Sequence, residues 1–311
     1  MALNNSWKDD NYKFVGQAFK LTYDKRMNEL APIMGKKNTT SVDYELKSNG
    51  GYGELPKYDG ANLNHGDQFR GFKTIITPEE FSLTIGVKRK DALNDKSGAC
   101  HQVGSDLADA AYMTVYAHAL RRFGNAFNQN FKGGDEKPWA ATDHPIASKS
   151  SEGRKWIADP DAGTFSNLIT GELSVDSISD AFALAGRYVM PDGLPYRSRM
   201  NTLLVPVELE KVAQQICGQN SRLYPGEAAD VNPYTSLHYI VMSGGRDGFT
   251  KKQWAICDPE MMKKVFKIVY NDEPQVVPGG GDNPLIDNYT GYTCFGIGWG
   301  DARPIVFSNP E

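Results

Sequence analysis

The longest apolar pattern in the chain runs over residues 97–131. Apolar side chains recur there at alternating steps of three and four residues, which is the spacing of one face of an α-helix; they are Met113, Tyr116, Leu120, Phe123, Phe127 and Phe131. The segment contains no proline and is rich in alanine. It predicts one long helix, with Asp95 and Ser97 placed to cap its amino terminus. Two shorter helices that meet at Gly104 or Gly124 are the alternative, because glycine weakens a helix.

The chain before this helix begins with a polar segment. We predict an amino-terminal arm over residues 1–36, whose first dozen residues have the pattern of an extended segment that needs something to lie against; taken by themselves, the residues favour a frayed terminus before a surface helix. A helix-like pattern follows, and Pro32 and Gly35 end it. Its positions are Phe14, Ala18, Leu21, Lys25 and Leu30.

Residues 37–78 are predicted to form an extended hairpin loop. The segments SVDYEL, FRGFKTIIT and EFSLTIGVKR have strand patterns, and a stretch rich in glycine and asparagine separates the first from the second. A structureless tip of about 20 residues is uncommon inside a compact domain. We therefore expect a binding loop, or an arm that docks on a neighbouring molecule.

Helix and strand patterns alternate after the long helix. A loop-like segment with two aromatic anchors, Trp139 and Trp156, comes first. Ser174 or Asp176 is then placed to cap a helix, whose inward positions are Ile178, Ala181, Phe182, Ala185 and Val189. NTLLVPV, LHYIVMS and KQWAICDP follow as strands, and ELEKVAQQIC follows as a helix that ends at Gly218. The alternation predicts a second α/β or α+β unit over 171–274, after which YTGYTCFGIGW, with bulges, and PIVF form strands.

The composition is that of an ordinary globular protein and excludes some classes of function. With 311 residues, of which 40% are hydrophobic and 23% charged, the chain can bury a core. A net charge of −4 gives no positive field that would draw it to nucleic acid or to an anionic membrane. The cysteines stand far apart, which favours reduced thiols in a cytoplasmic protein; they are Cys100, Cys217, Cys257 and Cys294. We expect no signal peptide and no membrane span, because no segment has either pattern.

No linear motif in the chain carries enzyme chemistry above background. VPGGGDNP has neither the spacing of a dinucleotide-binding loop nor that of a phosphate loop. Asp143 and His144 beside Ser148 come nearest to a catalytic set, but neighbours in sequence rarely have triad geometry. The histidines form no close pair of metal ligands; they are His65, His101, His118, His144 and His238. We therefore predict no enzyme and no catalytic, cofactor-binding or metal-binding residues.

The order of these parts resembles the major capsid proteins of tailed bacteriophages, and among them the Mu-type major head subunits. The resemblance covers residues 40–311, and the segments that carry it are TDHPIA at 142–147, NLITGELSVDSISDAFALA at 167–185, PDGLPYRSR, NTLLVPVELEKVAQQI at 201–216 and GWGDARPIVF at 298–307. It implies the α+β Hong Kong 97 type capsid fold. The implied parts are an amino-terminal arm over 1–36, an extended loop over 37–78, a peripheral domain over 79–170 and 275–311 with a spine helix over 97–131, and an axial domain over 171–274.

The same resemblance implies a structural function. The chain would self-assemble into hexamers and pentamers of an icosahedral head that encloses double-stranded DNA without sequence-specific binding, in a virion assembled in the host cytoplasm. A separate scaffolding protein, a portal and a decoration protein would be its partners, and a membrane would not. Some relatives crosslink subunits through a lysine and an asparagine, but nothing identifies a partner for Lys47, Lys57 or Lys73, so we predict no crosslink. The alternatives are an encapsulin-like shell with a cargo, and a soluble α/β hydrolase that uses His144 or His238.

Overall fold

The computed structural model describes residues 6–26, 30–50, 54–55, 57–58, 60, 70–93, 98–146, 163–217, 232–242, 247–280, 283 and 285–310. Its helices are α1 (Ser6–Arg26), α2 (Arg89–Leu93), α3 (Ala99–Gly124), α4 (Val175–Ala185), α5 (Glu210–Cys217) and α6 (Pro259–Val265). Its strands are β1 (Gly35–Asn38), β2 (Tyr44–Asn49), β3 (Arg70–Ile76), β4 (Glu79–Lys88), β5 (His144–Pro145), β6 (Thr164–Phe165), β7 (Leu168–Ile169), β8 (Thr202–Pro206), β9 (His238–Met242), β10 (Trp254–Cys257), β11 (Phe266–Gly279), β12 (Ile286–Trp299) and β13 (Ile305–Ser308). Some of the residues that the sequence singled out lie outside the described ones; they are His65, Asp95, Ser97, Ser148, Trp156 and Gly218.

Helix α3 is the long helix that the sequence predicts, and Gly104 does not break it. It is shorter than the predicted 97–131. It begins after Gly98, whose φ of 66° is not helical, and it ends at Gly124, with the Asn125 N–H bonded to carbonyls of the last turn. A side chain at Gly124 would lie 2.4 Å from the carbonyl oxygen of Asp247, so the end of the helix is packed against a distant loop. The predicted helix was therefore too long, and it ends at Gly124, a glycine that the sequence indicates as a weak point of the helix.

The apolar face predicted for α3 is right in its middle and wrong at its ends. Tyr116, Leu120 and Phe123 are buried. Met113 is 56% exposed, and Phe131, which lies beyond the end of the helix, is 44% exposed. Successive residues of a helix are rotated by about 100°, and steps of three and four residues do not follow one straight line along it. The side of α3 that is buried in its middle is therefore not the side that is buried at its ends.

The amino-terminal segment is a helix rather than an extended arm. Because α1 begins at Ser6, residues 6–12 are helical rather than extended, and the helix that the residues by themselves favoured is present. The predicted stripe is also displaced, since Phe14 and Leu21 are exposed. Gly104 lets α1 lie directly on α3, where a side chain would come within 2.5 Å of the Val15 carbonyl oxygen. The face of α1 that this contact buries consists of Val15, Ala18, Phe19 and Tyr23.

One four-stranded sheet, in the order β1-β11-β12-β4, packs against α3. β12 pairs antiparallel with β11 and with β4, and β1 pairs parallel with β11. The bulges predicted for the strand over 289–299 lie in its partner instead, because the register shifts insert extra residues into β11 between Tyr270 and Gln275.

A five-stranded sheet, in the order β7-β13-β10-β8-β9, forms the second core with α4 and α5. Ser174 caps α4 as predicted: its hydroxyl accepts from the Ser177 N–H, and the Ser177 hydroxyl accepts from the Ser174 N–H. Ile178, Ala181 and Ala185 are buried on the predicted inward face. Within the described residues, no helix is long and apolar enough to cross a lipid bilayer.

The two sheets do not follow the boundaries predicted for the four parts. β13 pairs with β10, so the end of the chain belongs to the five-stranded sheet, although 275–311 was assigned to the peripheral domain. β11 runs across residue 274 and pairs with β12 on both sides of it. The division into four parts stays a prediction, and the five-stranded sheet draws its strands from two of the predicted parts.

Candidate assembly surfaces

The base of the hairpin formed by β2 and β3 rests on a row of glycines. These strands pair antiparallel, as the alternating sequence predicts. Gly296, Gly298 and Gly300 occupy alternate positions, and alternate residues of a strand line the same face. A side chain at Gly298 would lie 2.6 Å from Ile76, and one at Gly300 would lie 2.9 Å from Leu46. The bare glycine backbone therefore lets the hairpin lie directly on β12.

The outer face of the hairpin is charged. Glu45 forms an ion pair with Lys73 on the opposite strand, and its other oxygen lies 3.4 Å from the Nζ of Lys47. The hydrogen bond from Lys73, assisted by Lys47, holds the pKa of Glu45 below its usual value. Lys57 is exposed beyond the strands. Two of the three lysines considered for a crosslink are thus bound by a carboxylate of their own hairpin.

Large apolar side chains are exposed on several elements. Leu55, in the loop beyond β2, is 93% exposed, and Val42, just before β2, is 77% exposed. Single exposed apolar residues are ordinary, but a set that extends over a projecting hairpin, an edge strand and a surface helix offers contact area to other molecules. The others on these elements are Phe14, Leu21, Tyr58, Ile75 and Leu83.

Three segments that carry the resemblance meet in one buried cluster around Asn167, which is fully buried. The Oδ1 atom of Asn167 accepts from the Ala141 N–H at 2.9 Å. Its Nδ2 atom donates to the carbonyl oxygens of Trp139 at 2.8 Å and of Ala302 at 3.3 Å. One side chain therefore fastens the segment that follows α3 to the segment that precedes β13.

His144, the candidate catalytic histidine, belongs to this Asn167 cluster and is fully buried. Its Nδ1 atom lies 2.6 Å from Asp135 Oδ2, and its Nε2 atom lies 3.1 Å from Asn167 Oδ1. The ring stacks on Phe165, with 5.1 Å between ring centroids. Since both ring nitrogens are engaged and no ring surface reaches solvent, the geometry is that of a structural histidine.

The other parts of the candidate catalytic set are not assembled around His144. Asp143 forms an ion pair with Lys137 near the surface instead. Ser148 lies outside the described residues. His238 is exposed on the edge strand β9, in the five-stranded sheet.

Arg303 buries a positive charge beside the Asn167 cluster. The residue is 2% exposed, and its guanidinium binds Asp301 Oδ2 at 3.0 Å and donates to the carbonyl oxygen of Ile146 at 2.8 Å. It also lies over the rings of Phe165 and Tyr196, at 5.0 and 5.9 Å from their centroids. Burial raises the pKa of Tyr196 well above its usual value. Sequence reasoning missed Arg303, because a single Asp-x-Arg turn has the pattern of a solvated loop.

His118 is packed between aromatic rings. Its ring meets Phe81 and Phe295 edge-on, at centroid distances of 4.8 and 5.6 Å. Burial, and secondarily the charge of Arg121, lowers the pKa of His118. No group of three residues that could hold a metal ion occurs in the described part of the chain, and the four cysteines are buried and form no disulfide with one another.

Comparisons with known proteins define the fold. No protein-family model matches the chain, and no curated protein matches its sequence. Among solved structures, the capsid of a native GTA particle superposes with a TM-score of 0.50 over 91% of this chain and 89% of that chain, at 13% identity. The virus-like particle from Pyrococcus furiosus superposes with a TM-score of 0.50 over 96% and 99% of the two chains, at 10% identity. The chain therefore has the Hong Kong 97 type capsid fold, in the α+β class that the sequence predicts.

Proposed function

We propose that this chain is a major capsid protein, a structural subunit that self-assembles into hexamers and pentamers of an icosahedral phage head. The observation that carries the proposal is the match in fold, which extends over 91% of this chain and 89% of the chain of a particle capsid. The second structure with this fold is a virus-like particle. Because one fold can host several functions, the support comes from the extent of the match, which covers nearly the whole of both chains and therefore concerns the whole subunit.

The exposed surfaces of the chain support assembly with copies of itself. A hairpin whose base is packed and whose connecting segment carries Leu55, 93% exposed, is suited to contact a neighbouring molecule. Closed symmetric assemblies repeat each contact many times, so modest interfaces are sufficient to hold a shell. The four parts proposed for the subunit are the arm, the extended loop, the peripheral domain and the axial domain.

The finer proposal is a Mu-type head subunit, assembled in the host cytoplasm with a separate scaffolding protein, a portal and a decoration protein. It rests on the segments 142–147, 167–185 and 298–307, and the shared Asn167 cluster supports treating them as one unit. The subunit is proposed to have no enzymatic activity and no membrane partner. Its net charge of −4 suits a container that encloses double-stranded DNA without binding it tightly, because each phosphate contact by Lys or Arg would add salt-dependent binding.

The test is expression of the chain alone and then with its neighbouring open reading frames, followed by negative-stain microscopy and light scattering. Closed shells or six-membered rings are expected, and nuclease-protected DNA is expected inside shells formed with the partners. A monomer or dimer under every condition would contradict the proposal. A protein cargo in place of DNA would favour the encapsulin-like alternative. Ester hydrolysis that disappears in His144→Ala, without loss of folding, would favour the hydrolase.

A further inference from the structure

Strand β4 is a long edge strand that lacks the usual protection against pairing. Its one strand partner within the described residues is β12. The opposite edge of the same sheet is β1, which has 4 residues and carries Lys36 and Lys37, whereas β4 has 10 residues. Short length and lysines discourage an edge strand from pairing with other chains. The centre of β4, residues 81–87, contains no charge, proline or bulge.

The sequence of β4 is complementary to itself when a second copy is laid beside it in the antiparallel direction. With Thr84 opposite Thr84, Leu83 lies opposite Ile85 of the second copy, and Phe81 lies opposite Val87. Glu80 then lies opposite Lys88 on the other face, once on each side of the centre. Apolar pairs and opposite charges directly across an antiparallel pair are stabilising, and like charges are destabilising. Moving the centre by one residue removes the match of Glu80 with Lys88.

The surface beside this edge is shaped for an apolar neighbour. Leu83 is 50% exposed although it lies in the middle of the strand. Next to it is a groove of about 170 Å³ between β4 and α3, with a floor of small residues. In a pair of β4 strands, Ile85 of the second copy would lie beside Leu83 and would continue the apolar layer across the contact. The lining residues that matter here are Phe81, Leu83, Leu107, Ala110 and Ala111.

We propose that β4 pairs with β4 of a second copy of this chain about a two-fold axis at Thr84, so that two four-stranded sheets become one continuous sheet. The contact is isologous, because each copy contributes the same strand. Such a contact cannot join successive subunits around a six-fold ring, and it joins subunits of adjacent rings instead. The inference rests on the proposed capsid function and deepens it, since it names the contact between capsomers.

A disulfide tests the position of the axis. On the axis, the two Cα atoms of residue 84 would be about 4.5–5.5 Å apart, within the range of about 4.4–6.8 Å that a disulfide spans. Thr84→Cys should therefore give a covalent dimer on mild oxidation. Ser82→Cys is the matched control, because its two copies would be offset by four positions, roughly 14 Å. The native cysteines are buried and should give little background.

Charge reversal tests the pairing without a crosslink. Glu80→Lys and Lys88→Glu each place like charges opposite each other twice, so each should weaken dimerisation by about tenfold in sedimentation experiments on the full chain. The double variant restores opposite charges and should recover association. Chains with Glu80→Lys should also associate with chains with Lys88→Glu about tenfold more tightly than either variant associates with itself. Loss of folding would not produce this pattern of rescue.

The outcomes separate this inference from the proposed function. Crosslinked Thr84→Cys dimers in a protein that never forms rings or shells would contradict the capsid function and support the strand pairing. Shells in which Thr84→Cys stays uncrosslinked would overturn the pairing and leave the capsid function standing. Equal crosslinking of Ser82→Cys, or no rescue in the double charge variant, would also overturn the pairing.

Discussion

Replacing Asn167 with alanine should strongly destabilise the unassembled subunit. The Asn167 side chain is fully buried and joins backbone groups of two segments that are distant in sequence. Alanine has no atom that can replace the amide, so three backbone groups lose a hydrogen-bond partner at once. The perturbation is therefore confined to polar groups, with little change in apolar area.

The magnitude follows from the individual hydrogen bonds. The Ala141 N–H loses its acceptor at 2.9 Å, and a buried donor without a partner costs about 1–3 kcal/mol. The carbonyls of Trp139 and Ala302 each lose a donor, which costs about 0.5–1.5 kcal/mol apiece. The sum is about 2–6 kcal/mol. This is a large part of the free energy of unfolding of a typical protein, which is roughly 5–15 kcal/mol.

Urea unfolding of the unassembled subunit, followed by tryptophan fluorescence, measures this loss. Trp139 is a useful reporter, because it is buried and stacks on Trp299 with 5.6 Å between ring centroids. Asn130→Ala is the matched control, since Asn130 is exposed, and it should change the free energy of unfolding by less than about 0.5 kcal/mol. If Asn167→Ala lowered the free energy of unfolding no more than this control does, the hydrogen bonds of Asn167 would not be what holds the two segments together.

Three further predictions concern the helices. Gly104→Ala should destabilise the fold, because its Cβ would lie 2.5 Å from the Val15 carbonyl oxygen, whereas Gly16→Ala, with nothing within 4 Å, should stabilise α1 by up to about 1 kcal/mol. Thermal unfolding measures both, and effects of the same sign would refute the packing of α1 on α3. Ser174→Ala should cost about 0.5–2 kcal/mol in urea unfolding by removing the cap of α4, and an unchanged midpoint would contradict that cap. Because burial lowers the pKa of His118 from 6.5, the wild-type chain should lose stability as pH falls below this value and through the lowered folded pKa. His118→Gln should reduce this loss of stability at low pH. Equal losses of stability in the two chains across a pH series would argue against the protonation of His118 as its cause.

The elements that the sequence predicted well have long or strongly signalled local patterns. The middle of α3, the cap and inner face of α4, and the two arms of the hairpin all follow from spacing and capping within a few residues of one another. The elements predicted wrongly depend on contacts with distant parts of the chain. α1 buries the face that fits against Gly104, and α3 ends where Gly124 meets the backbone of Asp247.

The Asn167 cluster was predictable only in part. The segments around His144, Asn167 and Arg303 were singled out in the sequence, but as parts of a resemblance and not as one site. Nothing in a linear pattern indicates that an asparagine, a histidine and an arginine from three segments are buried together, because burial of a polar side chain depends on partners that folding brings from elsewhere.

By itself, the sequence determined the α+β character of the chain, its long helix and its hairpin arms, because hydrophobic period, capping residues and turn residues act within short stretches of chain. The tertiary structure alone decided which face of α1 is buried and in which sheet β13 pairs. It also decided that the base of the hairpin packs on the alternate glycines before and after Trp299. The physical reason is that close packing and buried hydrogen bonds are properties of pairs of residues, and the members of these pairs lie far apart in the chain.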